Sequence, residues 1–351
     1  MKRFLLRPSL AWLRPEAVIY IALGIFSSVF LVLYFSLDQR NAAHFTSYIL
    51  GRGGNQMLWA AVILGQAFLL RLMVLWIRAG MKGMDPTILL SRQSVLGLLK
   101  SAGAFSKNLL FIGVPFVLSF YALTTALGQL NIFNSTRLRD ELLFRWDVLL
   151  THTFPPLSLA ALEYPVWFIQ AVDFSFSYLV IAFALFGAYL FCANQKLFRE
   201  AAVAFSLASL VGFAGWILFP VLSPHDRFID NVYELPILPE AQAYVQAYHP
   251  QEGIRSFLER MRESKKNLDV LPTSTFPSAH VFWAVLFAYY AWRLHKWLIV
   301  FALPLAVLSS IGTFLFAQHY FVDVPAGILV ALLSIWVASL LMRRQIVWVM
   351  G

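Results

Sequence analysis

Pro277-Ser278-Ala279-His280 stands where a long charged loop meets a new apolar run, Val281 to Trp292. Reading that junction as the mouth of a membrane helix decides the fold. A proline ends the extended segment, a serine is a good N-cap, and the histidine falls in the first turn. Free backbone N–H groups and the positive end of the helix dipole gather there, which makes a site for an anion such as phosphate. A second polar cluster follows in the same setting: His319 and Asp323, within Gln318-His319-Tyr320-Phe321-Val322-Asp323-Val324-Pro325.

Working outward, the chain is 60% hydrophobic and 13% charged over 351 residues. A soluble domain is about half apolar and roughly a quarter charged, so this composition belongs to an integral membrane protein. The single cysteine, Cys192, excludes an internal disulfide and a Cys-rich metal site. The net charge of +9 does not point to nucleic acid, because the basic residues flank apolar spans instead of forming one stripe.

A bilayer core takes ~20 apolar residues per helix. The sequence predicts about eight spans: Ala17–Leu37, Met57–Ile77, Leu109–Leu127, Phe174–Cys192, Ala201–Val221, Ser278–Trp292, Trp297–Ala317 and Val322–Met342. The first is longer than the ~7–15-residue core of a cleaved leader, so it is expected to be retained. Lys and Arg concentrate in the connections on the N-terminal side, with Lys82, Lys100, Lys196, Lys296 and Arg343 among them. By the positive-inside rule that side is cytoplasmic, with both termini. Ser278, His280, His319 and Asp323 then face the periplasm, the cell exterior or a lumen.

Two connections on the outer side are long. Residues 129–173 are expected to hold a short interfacial helix, with Trp146, Tyr164 and Trp167 at headgroup level. In 222–277, Ile254, Phe257, Leu258 and Met261 follow i, i+3, i+4, i+7 spacing opposite Arg255, Glu259, Arg262 and Glu263. That pattern predicts an amphipathic helix on the membrane or over the site.

If the eighth span begins at or just before His319, His319 and Asp323 share a helix face. The carboxylate would accept a hydrogen bond from one ring nitrogen and leave the other aimed outward, as an oriented nucleophile or base. Arg227 emerges after Phe219-Pro220-Val221-Leu222-Ser223-Pro224-His225-Asp226. It is either a clamp for phosphate oxygens, with His225 beside it, or a surface arginine paired with Asp226 or Asp230. Asp173 is expected to cap the fourth span or pair with an arginine. Two histidines and a carboxylate also match a non-haem iron site, but the helix-start anion site suits phosphate without a metal. Transport would call for polar groups near the midplane, and here they cluster at one surface.

Pro277-Ser278-Ala279-His280 followed by His319-Tyr320-Phe321-Val322-Asp323 resembles the second and third signature motifs of the phosphatidic acid phosphatase type 2 (PAP2) superfamily. It is most similar to the branch of inositol phosphorylceramide and sphingomyelin synthases. The likeness covers roughly the third to eighth spans. It implies an all-α, polytopic membrane helix bundle with a six-helix core over 105–351, and 1–104 as two additional N-terminal helices and a cytoplasmic loop. It also implies a phosphohistidine on His319, orientation of His319 by Asp323 and proton transfer by His280. Phosphoryl binding would fall to Ser278, Ala279, Arg227 and His225, with no metal or cofactor. The substrates would be a phospholipid donor and a lipid alcohol; the alternative is a lipid phosphate or polyprenyl pyrophosphate phosphatase. Ala279 replaces the usual glycine of the second motif, and two cations of the phosphatase branch have no match. The missing cations favour the transferase and raise the weight on Arg227.

Overall fold

The computed structural model describes residues 138–267 and 275–350. The three spans expected before residue 138 lie outside them. The described part is helical, with no strand among the described residues. In order it comprises α1 (Asp140–Thr151), α2 (Pro155–Ser158), α3 (Val166–Ala193), α4 (Gln195–Leu218), a π-helical turn (His225–Ile229), α5 (Pro239–Gln246), α6 (Glu252–Asn267), α7 (Ala279–Leu294), α8 (Ile299–Leu315) and α9 (Asp323–Met350).

Four of these segments are long and apolar enough to cross a membrane: Val166–Phe191, Gln195–Leu218, Lys296–Leu315 and Asp323–Arg343. They correspond to the fourth, fifth, seventh and eighth expected spans. Their outer faces carry large apolar side chains such as Phe174, Ile181, Val300, Phe301, Leu332, Leu333 and Trp336, all exposed. In water such a belt would be costly, whereas in hydrocarbon it is the ordinary lipid-facing surface. The protein is an integral membrane protein.

α7, the sixth expected span, is 16 residues long and sits among the longer helices. It packs against α3, α4, α8 and α9. Its core positions Ala279, Phe282, Leu286 and Tyr290 meet Val203, Ala204, Ala208 and Phe213 of α4 and Ala331, Ile335 and Ala338 of α9. Small residues on the flanking helices let a helix lined with aromatics sit at the centre. Gly327 of α9 shows how close the approach is, since a Cβ there would lie 2.9 Å from the Ser278 carbonyl oxygen and 2.9 Å from Val281 Cβ. That contact fixes the start of α7 against the start of α9.

Two helices start earlier than expected: α4 begins at Gln195, ahead of the expected Ala201, and α3 is longer still at its start. α3 starts at Val166, eight residues earlier than the apolar run suggested, because Pro165 pre-sets the chain just ahead of the helix. α9 starts at Asp323, next to the expected Val322, and the alternative start at His319 is not taken. Pro325 explains this: its ring would clash with the carbonyl of residue 321 if the helix ran further back, and in the first turn its missing N–H costs nothing.

The outer loops fold over one end of this bundle. The expected interfacial helix is α1, with Trp146, Leu149 and Leu150 exposed and Leu143 and Phe144 buried. The expected amphipathic helix is α6. Its Ile254, Phe257 and Leu258 are buried against Ile169, Val172 and Phe176 of α3 and against Leu315 and Phe316, with Met261 packed at the edge. It therefore lies over the end of the bundle. Asp173 pairs with Arg260 of α6, which settles its expected role as an ion-pair partner.

Candidate active site

The site is built where α7 begins and where the loop 316–322 joins α8 to α9. Ser278 is the N-cap of α7, its Oγ accepting from Val281 N–H at 3.4 Å. As expected from Pro-Ser-Ala-His, this places Ala279 and His280 in the first turn. The His280 ring stacks on Phe176 of α3, with centroids 4.2 Å apart and planes within 3°. The stack holds the imidazole upright against the α3 wall.

His319 lies in the loop, so it does not share a helix face with Asp323. The pairing survives by another route. Asp323 is the first residue of α9, and its Oδ2 accepts from His319 Nδ1 at 2.9 Å and from Tyr320 N–H at 3.3 Å. The His319 N–H in turn donates to the Thr313 carbonyl at the end of α8. Asp323 is fully buried and His319 nearly so. Burial disfavours a second proton on the ring and pushes the His319 imidazole below its ordinary value, against a smaller opposing effect from the Thr275 backbone. A neutral imidazole with Nδ1–H on the carboxylate presents its Nε2 lone pair, as a nucleophile requires.

Nε2 points into the site. It lies 3.2 Å from Ser278 Oγ, and the His280 and His319 ring centroids are 6.4 Å apart. Forty-one residues separate Ser278 from His319 in the chain. The structure thus brings Ser278, Ala279, His280, His319 and Asp323 together at one end of the bundle. Two rings at that separation leave room for one tetrahedral group between them.

Arg227 and His225 lie on the π-helical turn next to the His319 loop. Arg227 is buried, and its guanidinium donates to the Pro236 carbonyl at 2.7 Å and lies over the Phe228 ring. It is therefore not a surface arginine. Asp230 bonds Arg262 of α6 and faces His225 Nδ1 at 3.4 Å. Burial pushes the Asp230 carboxyl up, but the hydrogen bonds from His225 and Arg262 outweigh it and hold it at about 2. The backbone ties this segment to the His319 loop, since His225 N–H donates to the Ala317 carbonyl at 2.9 Å.

Two residues escaped the sequence reading. Asp140 and Asp147 of α1 are both buried and both reach the His319 loop. Asp140 Oδ1 accepts from Tyr320 Oη–H and from Leu222 N–H, each at 2.9 Å. Asp147 takes Phe321 N–H at 2.8 Å and Val322 N–H at 2.9 Å, one on each oxygen. Burial pushes each carboxyl up to about 7, against the pull of these hydrogen bonds. A signal was present: Asp140, Leu143, Phe144 and Asp147 are the buried residues of α1, an i, i+3, i+4, i+7 stripe. Two carboxylates at the ends of an apolar stripe are carboxylates facing inward.

No curated protein and no solved structure matches the chain. A family model does: that of the PAP2 superfamily, over residues 141–337, more than half of the 351 residues. The match takes in α1 from Glu141 onward, Ser278, His280, His319 and Asp323. With paired motifs converging on one site at the end of a membrane bundle, the chain belongs to the PAP2 superfamily.

Proposed function

We propose that the protein is a lipid phosphotransferase of the inositol phosphorylceramide synthase-like kind. It would move a phosphorylated headgroup from a phospholipid to a lipid alcohol at the outer face of the membrane. The observation that carries this reading is His319, held by Asp323 through Nδ1 at 2.9 Å, facing His280 across 6.4 Å. In the first step His319 Nε2 attacks phosphorus while His280 protonates the departing lipid oxygen. Asp323 balances the charge that develops on His319. In the second step the acceptor hydroxyl gives its proton to His280 and takes the phosphoryl group from His319. The Ser278 hydroxyl and the free N–H groups of the first turn of α7 would bind the phosphoryl oxygens. Arg227 and His225 would complete the pocket wall. No step calls for a metal.

A lipid substrate is supported by an apolar groove of about 480 Å³ between α7, α8 and α9. It runs from Trp292 and Ile299 up to Phe314 and Val324, directly below the His319 loop. Its size suits a chain of hydrocarbon.

Trapping the phosphoenzyme tests the mechanism. Brief incubation with headgroup-labelled phospholipid should leave an acid-labile, base-stable adduct on His319. An acid-stable, base-labile adduct on Ser278 would move the nucleophile to the hydroxyl, which the 3.2 Å contact with Nε2 also permits. Hydrolysis is the second reading, favoured by membership of a superfamily of phosphatases. Headgroup or phosphate release that needs no lipid alcohol would select it.

A further inference from the structure

The loop that carries His319 is held by a residue 174 positions earlier in the chain. We infer that Asp147 is a positioning residue of the reaction: its carboxylate, by gripping two successive amides of the 316–322 loop, sets the aim of His319 Nε2. The inference rests on the reading of His319 as nucleophile.

The geometry is specific. Phe321 and Val322 immediately precede α9, and their N–H groups donate to Asp147 Oδ2 and Oδ1 respectively. Asp147 is fully buried. Buried N–H groups need partners, and a carboxylate gripping both fixes the orientation of two peptide planes at once. Those planes lie between His319 and Asp323, the two residues whose mutual placement decides the tautomer and direction of the imidazole. One residue earlier, Tyr320 is fixed through its hydroxyl by Asp140, two turns away on the same face of α1. α1 therefore holds the side chain of residue 320 and the backbone of residues 321 and 322. A partner needed only to start a helix is ordinarily a local Ser, Thr, Asp or Asn. Here an acidic side chain is brought from another element and buried beside Asp323, whose charge it opposes.

The test is made on the full chain in detergent–phospholipid micelles with Asp147→Ala and Asp147→Asn. Asp147→Ala should lower kcat about 100-fold, with KM for the phospholipid within about twofold, because sub-ångström aim affects the reacting geometry more than binding. Asp147→Asn keeps one acceptor and should fall between the two. The second readout needs no turnover: the rate at which diethyl pyrocarbonate modifies His319, with His280 as internal reference, read by mass spectrometry. It should change for His319 and stay constant for His280. A folded Asp147→Ala protein with wild-type kcat and wild-type His319 labelling overturns the inference. So does a folded variant in which kcat, KM and both labelling rates shift in parallel, which would mark a general loosening of the site. If Asp147→Ala does not fold, Asp147→Asn decides on the same two readouts. If the wild type turns over no phospholipid, the proposed function fails, and His319 labelling still decides the role of Asp147.

Discussion

At the scale of single residues, the site is a chain of three polar groups: Ser278 Oγ, the His319 ring and the Asp323 carboxylate. Replacing His319 with Ala should abolish turnover in a reconstituted assay. Asp323→Asn should keep the fold but offer His319 the wrong tautomer, at a cost of about 10⁴-fold in kcat. The buried carboxyls of α1 make a separate prediction about stability. Asp140 and Asp147 titrate at about 7 in the folded protein against an ordinary value of 3.8. The folded state therefore holds protons that the unfolded state releases, and stability falls as pH rises between those values. Thermal unfolding in detergent should show full stability below the lower value, a decline towards pH 7 and a plateau above. Asp140→Asn and Asp147→Asn should each flatten that decline. Ser278 and His280 were legible in the sequence because polar groups at the mouth of an apolar run are costly to place there and usually mark function. Asp140 and Asp147 were not, because Arg139, Glu141 and Arg145 surround them in sequence and make the segment look solvated.

At the scale of elements, α6 is a helix with one apolar face laid across the end of the bundle. Phe257 stacks on Phe316 at 3.9 Å and meets Phe176 edge-on at 5.5 Å. Arg260–Asp173 and Arg262–Asp230 fasten its polar side. Such exposed pairs contribute little, about 0–1 kcal/mol each, so the phenyl ring dominates the docking. Phe257→Ala should weaken it by about 3–5 kcal/mol. The check is limited proteolysis, which should cut after Arg255 or Arg262 far faster in the variant, with a fall in turnover as Phe176 loses its neighbour. The amphipathic period made α6 visible in the sequence, and its seat did not: which of membrane or protein receives an apolar stripe depends on long-range packing. The start of α9 was legible to within a residue, but the alternative start at His319 was not excluded by spacing alone. The i, i+4 spacing of His319 and Asp323 suits a helix, but Pro325 forbids one there, and a turn satisfies the same contact.

At the scale of the whole molecule, helices α3, α4, α8 and α9 enclose α7, and every polar group of the candidate chemistry sits at the end where α7 starts. Hydropathy was sufficient to find these spans, because a bilayer leaves little choice but helix for an apolar run. The convergence of residues 278 and 319 rests on packing details such as Gly327 that no periodicity reports. The distribution of Lys and Arg argues that this end lies outside the cytoplasm. With Cys192 replaced by Ser, Glu259→Cys on the exposed face of α6 should react with a membrane-impermeant maleimide added to intact cells. Protection until the membrane is permeabilised would reverse the assigned orientation.

The stack of Phe257 on Phe316, with Phe176 beside them and His280 against Phe176, also bears on which acceptor wins. These rings make an apolar wall on the His280 side of the candidate site. Water approaching along that wall would meet aromatic surface, whereas a hydroxyl anchored in the bilayer would approach from the lipid side. On the proposed mechanism, a phosphorylated imidazole beside these rings would survive longer against hydrolysis, and partitioning towards alcoholysis would follow.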